Sequence, residues 1–160
     1  MTKQRSLDYL AMTAAQKITD VLGEKVKKGQ VEARDLETLV TKALGVLQSQ
    51  GVYAMALFLF SRSGKDTKAE KMKSEERAAV QILSWLWPLR QPFQVIANWQ
   101  NGRAELTTDK AWDQVNNHKR DMLQAFADLS QNLDTLLLVR DLYEQTLIYA
   151  RYGAKAAKGE

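Results

Sequence analysis

The sequence predicts an all-α protein, a single-domain bundle of about six helices. Apolar residues recur at spacings of three and four along most of the 160 residues, which is the period of helices buried on one face. Two prolines and eight glycines are too few for the many turns of an all-β protein. No internal repeat and no convincing strand is found. We therefore expect residues 1–160 to form one helical domain.

Apolar stripes indicate the first three helices. One stripe covers residues 7–26. The helix that it indicates is expected to end at residues 27–29, Lys-Lys-Gly, since basic residues and glycine favour a helix C terminus. A second covers residues 36–47 and meets Gly51, where we expect the left-handed conformation that glycine adopts without penalty. Residues 52–60 are apolar on every side, and their Ala, Met and Leu content favours a short buried helix over a strand.

A flexible basic loop is expected at about residues 61–73, which carry five basic and two acidic side chains and no apolar stripe. Ser74 is expected to cap the next helix, which Pro88 should end, because proline lacks the amide proton that a helix needs. A shorter helix is expected over residues 93–99.

Two further helices are expected after residue 106. The first opens at residues 107–109, Thr-Thr-Asp, and runs to Leu129. A turn near residues 131–132 precedes the last helix, which begins at Leu133 and is expected to end near Gly153.

Composition excludes much catalytic chemistry. The chain has no cysteine, and its one histidine, His118, lies in a polar stretch that favours a solvent-facing residue over a general base or a metal ligand. Residues 63–65, Ser-Gly-Lys, resemble part of a phosphate loop, but Leu59 and Asp66 stand where that motif needs Gly and Ser or Thr. We expect no catalytic residue, no metal site and no cofactor, and hence a protein that is not an enzyme.

Three carboxylates lie at the start of the second helix, at Glu32, Asp35 and Glu37. Acidic side chains complement the positive end of a helix dipole, so this position explains them without catalysis.

Positive charge is concentrated in the first half of the chain. Residues 1–77 contain 14 basic and 10 acidic side chains, whereas residues 78–160 contain nine of each. This asymmetry is compatible with a polyanionic partner and equally with ordinary solvated lysines.

Four tryptophans fall within 28 residues, at Trp85, Trp87, Trp99 and Trp112. Such rings can stack on nucleobases, but they more often anchor a core or a protein interface. We favour the second role and assign Trp85, Trp87 and Trp99 to a protein interface.

No segment has the pattern of a signal peptide or a membrane span. The longest apolar run, residues 52–60, is about half of the length that a bilayer core requires. We expect a cytoplasmic protein without membrane contact.

Several segments resemble a known family. Residues 41–58, TKALGVLQSQGVYAMALF, form a helix that ends at Gln50-Gly51 and is followed at once by an apolar helix. With the Ala-rich first helix behind Gln4-Arg5 and the aromatic and basic ending at residues 147–156, this order resembles the small α-helical subunit of Cmr complexes. These are the type III-B CRISPR RNA-guided effectors. Residues 85–106 match no motif of that family.

The resemblance implies a non-catalytic subunit in a ribonucleoprotein for antiviral defence. Copies of such a subunit stack in a filament beside the backbone subunits, contact the large subunit, and line the groove in which guide RNA pairs with target RNA. Basic side chains would then contact RNA phosphates without reading the bases. The residues assigned to this role are Arg5, Lys42, Arg140, Arg151 and Lys155, supplemented by the loop lysines Lys65, Lys68, Lys71 and Lys73. The alternative is a stand-alone helical adaptor that binds a protein through the region from Trp85 to Trp112.

Overall fold

The computed structural model describes residues 3–20, 22, 31–64, 73–92, 94, 95 and 119–158. This part of the chain is an all-α bundle of six helices without a strand, as the sequence predicts. The helices are α1 (Lys3–Asp20), α2 (Ala33–Gln50), α3 (Val52–Arg62), α4 (Ser74–Leu86), α5 (Lys119–Asp128) and α6 (Leu133–Lys158). Short 3₁₀ helices at Pro88–Arg90 and Leu129–Gln131 follow α4 and α5.

Helix α6 is the axis of the bundle, because it packs along both α1 and α2. Its 26 residues give it a length of about 39 Å. Helix α3 packs between α2, α4 and α5, and α4 also contacts α1 and α2. The largest fully buried side chains come from every helix except the 3₁₀ turns: Leu10, Ile18, Leu36, Leu39, Leu47, Met55, Leu59, Ile82, Leu83, Leu86, Phe126 and Tyr143.

Gly153 does not end the last helix, contrary to prediction, because α6 continues to Lys158. The glycine instead permits a close approach of α1. A Cβ atom on Gly153 would lie 2.9 Å from the Cγ2 atom of Thr19, closer than packed carbon atoms come. Buried alanines, among them Ala14 and Ala154, also lie on these two helices. Small side chains therefore set the spacing between α1 and α6.

Helix α1 ends earlier than the sequence indicates. Leu22 already lies in a turn, where its amide donates to the Thr19 carbonyl at 3.0 Å. The Thr19 hydroxyl is within hydrogen-bond distance of the carbonyls of Ala15 and Gln16, and such local bonds compete with continued helix. The ending expected at residues 27–29 lies outside the described residues.

Gly51 joins α2 to α3 with a positive φ of 101°, so the predicted break and the need for glycine are confirmed. Its ψ of −176° differs from that of a left-handed helix and belongs to a region that essentially only glycine occupies. The Gly51 amide donates to the Leu47 carbonyl, and the Gly51 carbonyl accepts from the Met55 amide. Gly51 therefore takes part in the last hydrogen bond of α2 through its amide and in the first of α3 through its carbonyl.

Helix α3 is only partly buried, although its apolar residues predicted burial on all sides. Met55 and Leu59 are fully buried, whereas Tyr53 and Leu57 are 45% and 43% exposed. The helix also continues to Arg62, so Ser61 and Arg62 are not part of a loop. Ser63 is buried, with its hydroxyl donating to the Phe60 carbonyl at 2.8 Å. Residues 65–72 of the expected loop lie outside the described residues.

The start of α4 differs from the predicted serine cap. Lys73 occupies the cap position, and the Glu76 carboxylate accepts from its amide at 3.2 Å. Ser74 is the first helical residue, and its hydroxyl oxygen accepts from the Glu32 amide at 2.9 Å. The Arg62–Glu75 ion pair, with N–O distance 3.0 Å, joins the end of α3 to the same turn.

Helix α4 ends at Leu86, as Pro88 predicts, and it ends inside the core. Proline has no amide proton, and the Arg90 amide donates to the Trp87 carbonyl rather than to that of Leu86. The buried hydroxyl of Tyr143 on α6 donates to the Leu86 carbonyl at 2.8 Å. Burial also raises the pKa of Tyr143 above its ordinary value, so the donor stays protonated.

The structure describes some of the residues in the remaining predicted helices and turns. The turn before the last helix is confirmed: the side-chain oxygen of Asn132 accepts from the Thr135 amide at 3.1 Å and caps α6. Pro92, Gln94 and Val95 are helical. The rest of the helix expected at 93–99 and the opening at 107–109 lie outside the described residues.

We expect Gly51→Ala to destabilise the protein by about 1–3 kcal/mol, because alanine cannot adopt its backbone conformation without strain. No atom lies within 4 Å of a Cβ at this position, so the cost is conformational. Gly45→Ala is the matched control. Gly45 is exposed inside α2 with equal space, and its replacement should stabilise by about 0.5–1 kcal/mol. Urea denaturation measures both, and equal changes would contradict this explanation.

We expect Tyr143→Phe to cost about 1–3 kcal/mol, because it leaves the buried Leu86 carbonyl without a donor. Tyr152→Phe, at a residue that is 64% exposed, should change stability by less than about 0.5 kcal/mol. Since folding raises the pKa of Tyr143, ionisation favours the unfolded chain as pH rises above about 10. The stability difference between wild type and Tyr143→Phe should therefore shrink above that pH. A difference that is constant to pH 11 would show that folding does not raise the pKa of Tyr143.

Candidate nucleic-acid interface

Three of the five predicted RNA-binding residues lie on one side of α6. Arg140 and Arg151 are 11 residues apart, close to three helical turns, and Lys155 follows one turn later. Arg140, Arg151 and Lys155 therefore share one side of a single helix, and the convergence of residues from several helices on an RNA-binding face stays a prediction.

Arg140 has a role inside the fold. It is half-buried, and its Nη2 atom donates to the Gln48 carbonyl at 2.9 Å. Gln48 lies in the last turn of α2, where carbonyls have no amide of their own helix to accept from. Arg140 therefore caps the C terminus of α2, which the sequence alone did not indicate.

Arg151 and Lys155 are available for an external anion. Lys155 is exposed, and Arg151 is half-buried with its Nε atom inaccessible to solvent and without a hydrogen-bond partner. Neither side chain forms an ion pair within the described part of the chain. Residues 145–158 of α6 carry three cations and no acidic side chain, whereas Asp134, Asp141 and Glu144 lie closer to its N terminus. Positive charge on α6 is thus concentrated at its C-terminal half.

The acidic side chain of Asp8 lies beside this half of the helix. Asp8 of α1 accepts a hydrogen bond from the Tyr149 hydroxyl at 2.7 Å. This bond raises the pKa of Tyr149. It also engages the Asp8 carboxylate and joins the first helix to the last.

Of the other predicted contacts, the structure describes the side chains of Lys42 and Lys73. Lys42 is exposed on α2, as expected, but lies about 120° around that helix from Gln48. Lys73 is exposed before α4. The side chain of Arg5 and the residues Lys65, Lys68, Lys71 and His118 lie outside the described part of the chain.

The described tryptophans are built into the bundle. Trp85 and Trp87 are both half-buried and pack against the core. The Trp87 ring contacts the Phe126 ring edge-on, with centroids 5.6 Å apart, and the Arg90 guanidinium lies 4.0 Å from the Trp87 centroid. Burial lowers the pKa of Arg90, and the nearby Tyr143 acts in the opposite direction. Trp99 and Trp112 lie outside the described residues.

Exposed apolar side chains are found elsewhere than at the tryptophans. Leu133 and Leu137, one turn apart at the start of α6, are 64% and 47% exposed. Other exposed apolar or aromatic residues are Tyr9, Met12, Tyr53, Leu57 and Tyr152.

Comparisons with known proteins add no family. No protein-family model matches the chain, and neither the curated proteins nor the solved structures include a match to it.

Among the described residues, no group of three or more His, Asp or Glu side chains is placed to hold a metal ion. None of the helices in these ranges combines the length and apolarity needed to cross a membrane.

We expect Arg140→Gln to lower the free energy of unfolding by about 1–2 kcal/mol, because the Gln48 carbonyl loses a charged donor. Lys155→Gln, on the same helix but exposed, should stay within about 0.5 kcal/mol of wild type. Chemical denaturation of the isolated chain tests both. Equal stability of the two variants would show that the Arg140 contact is dispensable for folding.

Proposed function

We propose that the chain is a non-catalytic small subunit of a type III-B RNA-guided effector, acting in the cytoplasm beside the backbone subunits and contacting guide–target RNA. The observation that carries this proposal is the C-terminal half of α6, where Arg151 and Lys155 lie one turn apart and form no ion pair with any residue that the structure describes. Residues 145–158 contain no acid that would repel a polyanion.

Two features of the fold support the family resemblance on which the proposal rests. The Gln50-Gly51 motif lies at a glycine-dependent bend between two helices. The first and last helices, which carry the other two resembling segments, pack against each other and are joined by the Tyr149–Asp8 hydrogen bond.

The physical role of this surface would be attraction of phosphates. Each cation that neutralises an RNA phosphate releases bound counterions, so affinity depends on salt and is indifferent to base identity. Base pairing with the guide reads the sequence in such an effector, and a helical subunit needs to contribute only shape and charge.

We expect Arg151→Gln combined with Lys155→Gln to weaken target RNA binding by the assembled complex, more at low salt than at high. Loss of two phosphate contacts should reduce the slope of log affinity against log salt by about 1.4–1.8. Binding is measured by fluorescence anisotropy over a salt series, after co-purification of the variant with the other effector subunits. Arg140 is left intact because its contact with Gln48 supports folding.

Arg120→Gln is the matched control, since Arg120 is an exposed arginine on a different helix, α5. Its slope should equal that of wild type. Lys42→Gln, tested separately, shows whether the α2 lysine adds a contact of its own. Failure of the wild-type chain to co-purify with the effector subunits would refute the proposal, and an unchanged slope in the double variant would remove α6 from the RNA surface.

The second candidate function is a protein-binding adaptor. In the region from Trp85 to Trp112, the described tryptophans pack against the core of the bundle. Leu133 and Leu137, by contrast, form an exposed apolar pair. Leu133→Ser with Leu137→Ser should leave the isolated fold intact. Loss of a protein partner in this variant, without RNA binding by the wild type, would favour the adaptor.

A further inference from the structure

The outer face of α6 carries acidic and basic side chains in two separate stretches. Asp141 and Glu144 lie near the middle of the helix, and Arg151 and Lys155 lie on the same side, closer to its C terminus. Asp141 and Lys155 are exposed, whereas Glu144 and Arg151 are half-buried. With 3.6 residues in each helical turn, the four side chains fall within an arc of about 80° and therefore belong to one surface.

These charges do not neutralise one another within one copy. Ion pairs on a helix join residues three or four positions apart, whereas Glu144 precedes Arg151 by seven positions and Asp141 precedes Lys155 by 14. None of the four side chains forms an ion pair with any residue that the structure describes. One copy therefore presents an acidic stretch followed by a basic stretch, and neither has its opposite charge in the described part of the fold.

A second copy of α6 supplies the opposite charges if it runs antiparallel to the first. In a pair centred on Ile148, Asp141 of each copy lies opposite Lys155 of the other, because both positions are seven residues from the centre. Glu144 and Arg151 are four and three residues from the centre, so they also become neighbours. A parallel pair would place like charges opposite each other, which is unfavourable. Charge complementarity thus selects the antiparallel orientation.

The middle of this face is apolar. Ile148 is half-buried and packs against the core, and its remaining surface points outward between the acidic and basic stretches. Tyr152, which is 64% exposed, lies one turn further along the helix. An apolar centre with a charged rim is the usual arrangement of a protein–protein interface.

We propose that the outer face of α6 joins two copies of this chain in an antiparallel pair with two-fold symmetry. Each copy contributes the same surface, so the pair is closed and stops at two copies, unlike a filament. The overlapping part, residues 138–158, is about 30 Å long. The pair does not depend on the proposed function. Because the acids of one copy lie over Arg151 and Lys155 of the other, pairing and RNA contact at these residues exclude each other.

Sedimentation equilibrium of the isolated full chain over a concentration series tests the proposal. We expect a reversible equilibrium between one copy and two, which weakens as sodium chloride is added because salt screens the charges. A monomer at every concentration would overturn the proposal. Growth beyond two copies, or an association that salt leaves unchanged, would overturn it as well.

Two charge-reversed variants test which side chains pair. Asp141→Lys with Glu144→Lys makes the face wholly basic, and Arg151→Glu with Lys155→Glu makes it wholly acidic. Each variant alone should have a dissociation constant at least about tenfold above that of wild type, because like charges then face each other. An equimolar mixture of the two should associate at least as well as wild type. Wild-type association of either variant alone, or no association in the mixture, would contradict the pairing.

A control variant separates this pairing from a general effect of net charge. Arg120→Glu reverses an exposed charge on α5 and should associate like wild type. An equal loss of association in this control would show that net charge, and not the face of α6, governs self-association. Circular dichroism of every variant checks that the helical fold is retained.

Disulfide cross-linking tests the orientation, since the chain has no cysteine of its own. Ile148→Cys places one thiol from each copy at the two-fold axis, where the helices come closest, and should cross-link on mild oxidation. Ala156→Cys, at an exposed residue of the same helix, would lie about 24 Å from its counterpart and should cross-link much more slowly. Equal rates at the two positions, or a faster rate for Ala156→Cys, would overturn the antiparallel pair.

Discussion

The hydrogen bond from the Tyr143 hydroxyl to the Leu86 carbonyl is the contact on which the bundle depends. Pro88 forces α4 to end inside the core, where a free carbonyl would be costly. Tyr143 is the side chain that satisfies it, and Tyr143 belongs to α6, the helix against which α1 and α2 pack. The end of α4 and the axis of the bundle are therefore fixed to each other at a buried point, and that geometry positions the surface of α6.

Aromatic contacts connect the buried Tyr143 ring to half-buried Trp87. The Tyr143 ring meets the Phe126 ring of α5 edge-on, and Phe126 in turn meets Trp87. Arg90 covers the outer side of this series by stacking on Trp87. Edge-to-face pairs add stabilisation beyond buried area, so three separate segments are held in one cluster. This arrangement explains why Trp87 packs against the core, whereas the assignment of Trp85, Trp87 and Trp99 to a protein interface stays a prediction.

The sequence predicted those features that depend on local chemistry. Apolar periodicity predicted an all-α bundle, and the ends of helices at Gly51 and Pro88 follow from the backbone properties of glycine and proline. Gly153 shows where such reasoning fails, since this glycine allows α1 to approach and lies inside a helix. Likewise Ser74 is a good cap by composition, but its hydroxyl is engaged by a residue 42 positions away. Long-range contacts of this kind have no signal in the spacing of residues.

Long-range contacts also decide which arginines are available at the candidate site. Arg62 pairs with Glu75, Arg90 stacks on Trp87, and Arg140 caps α2, so these charges serve the fold. A count of basic residues therefore overstates the charge available to a polyanion. Among the basic side chains of α6 that the structure describes, Arg151 and Lys155 remain, a short surface suited to one or two phosphates. If the chain contacts RNA there, the affinity of one copy must be weak, because each phosphate contact contributes little at physiological salt. Tight binding would then require several copies side by side, which makes assembly rather than the single bundle the unit of recognition.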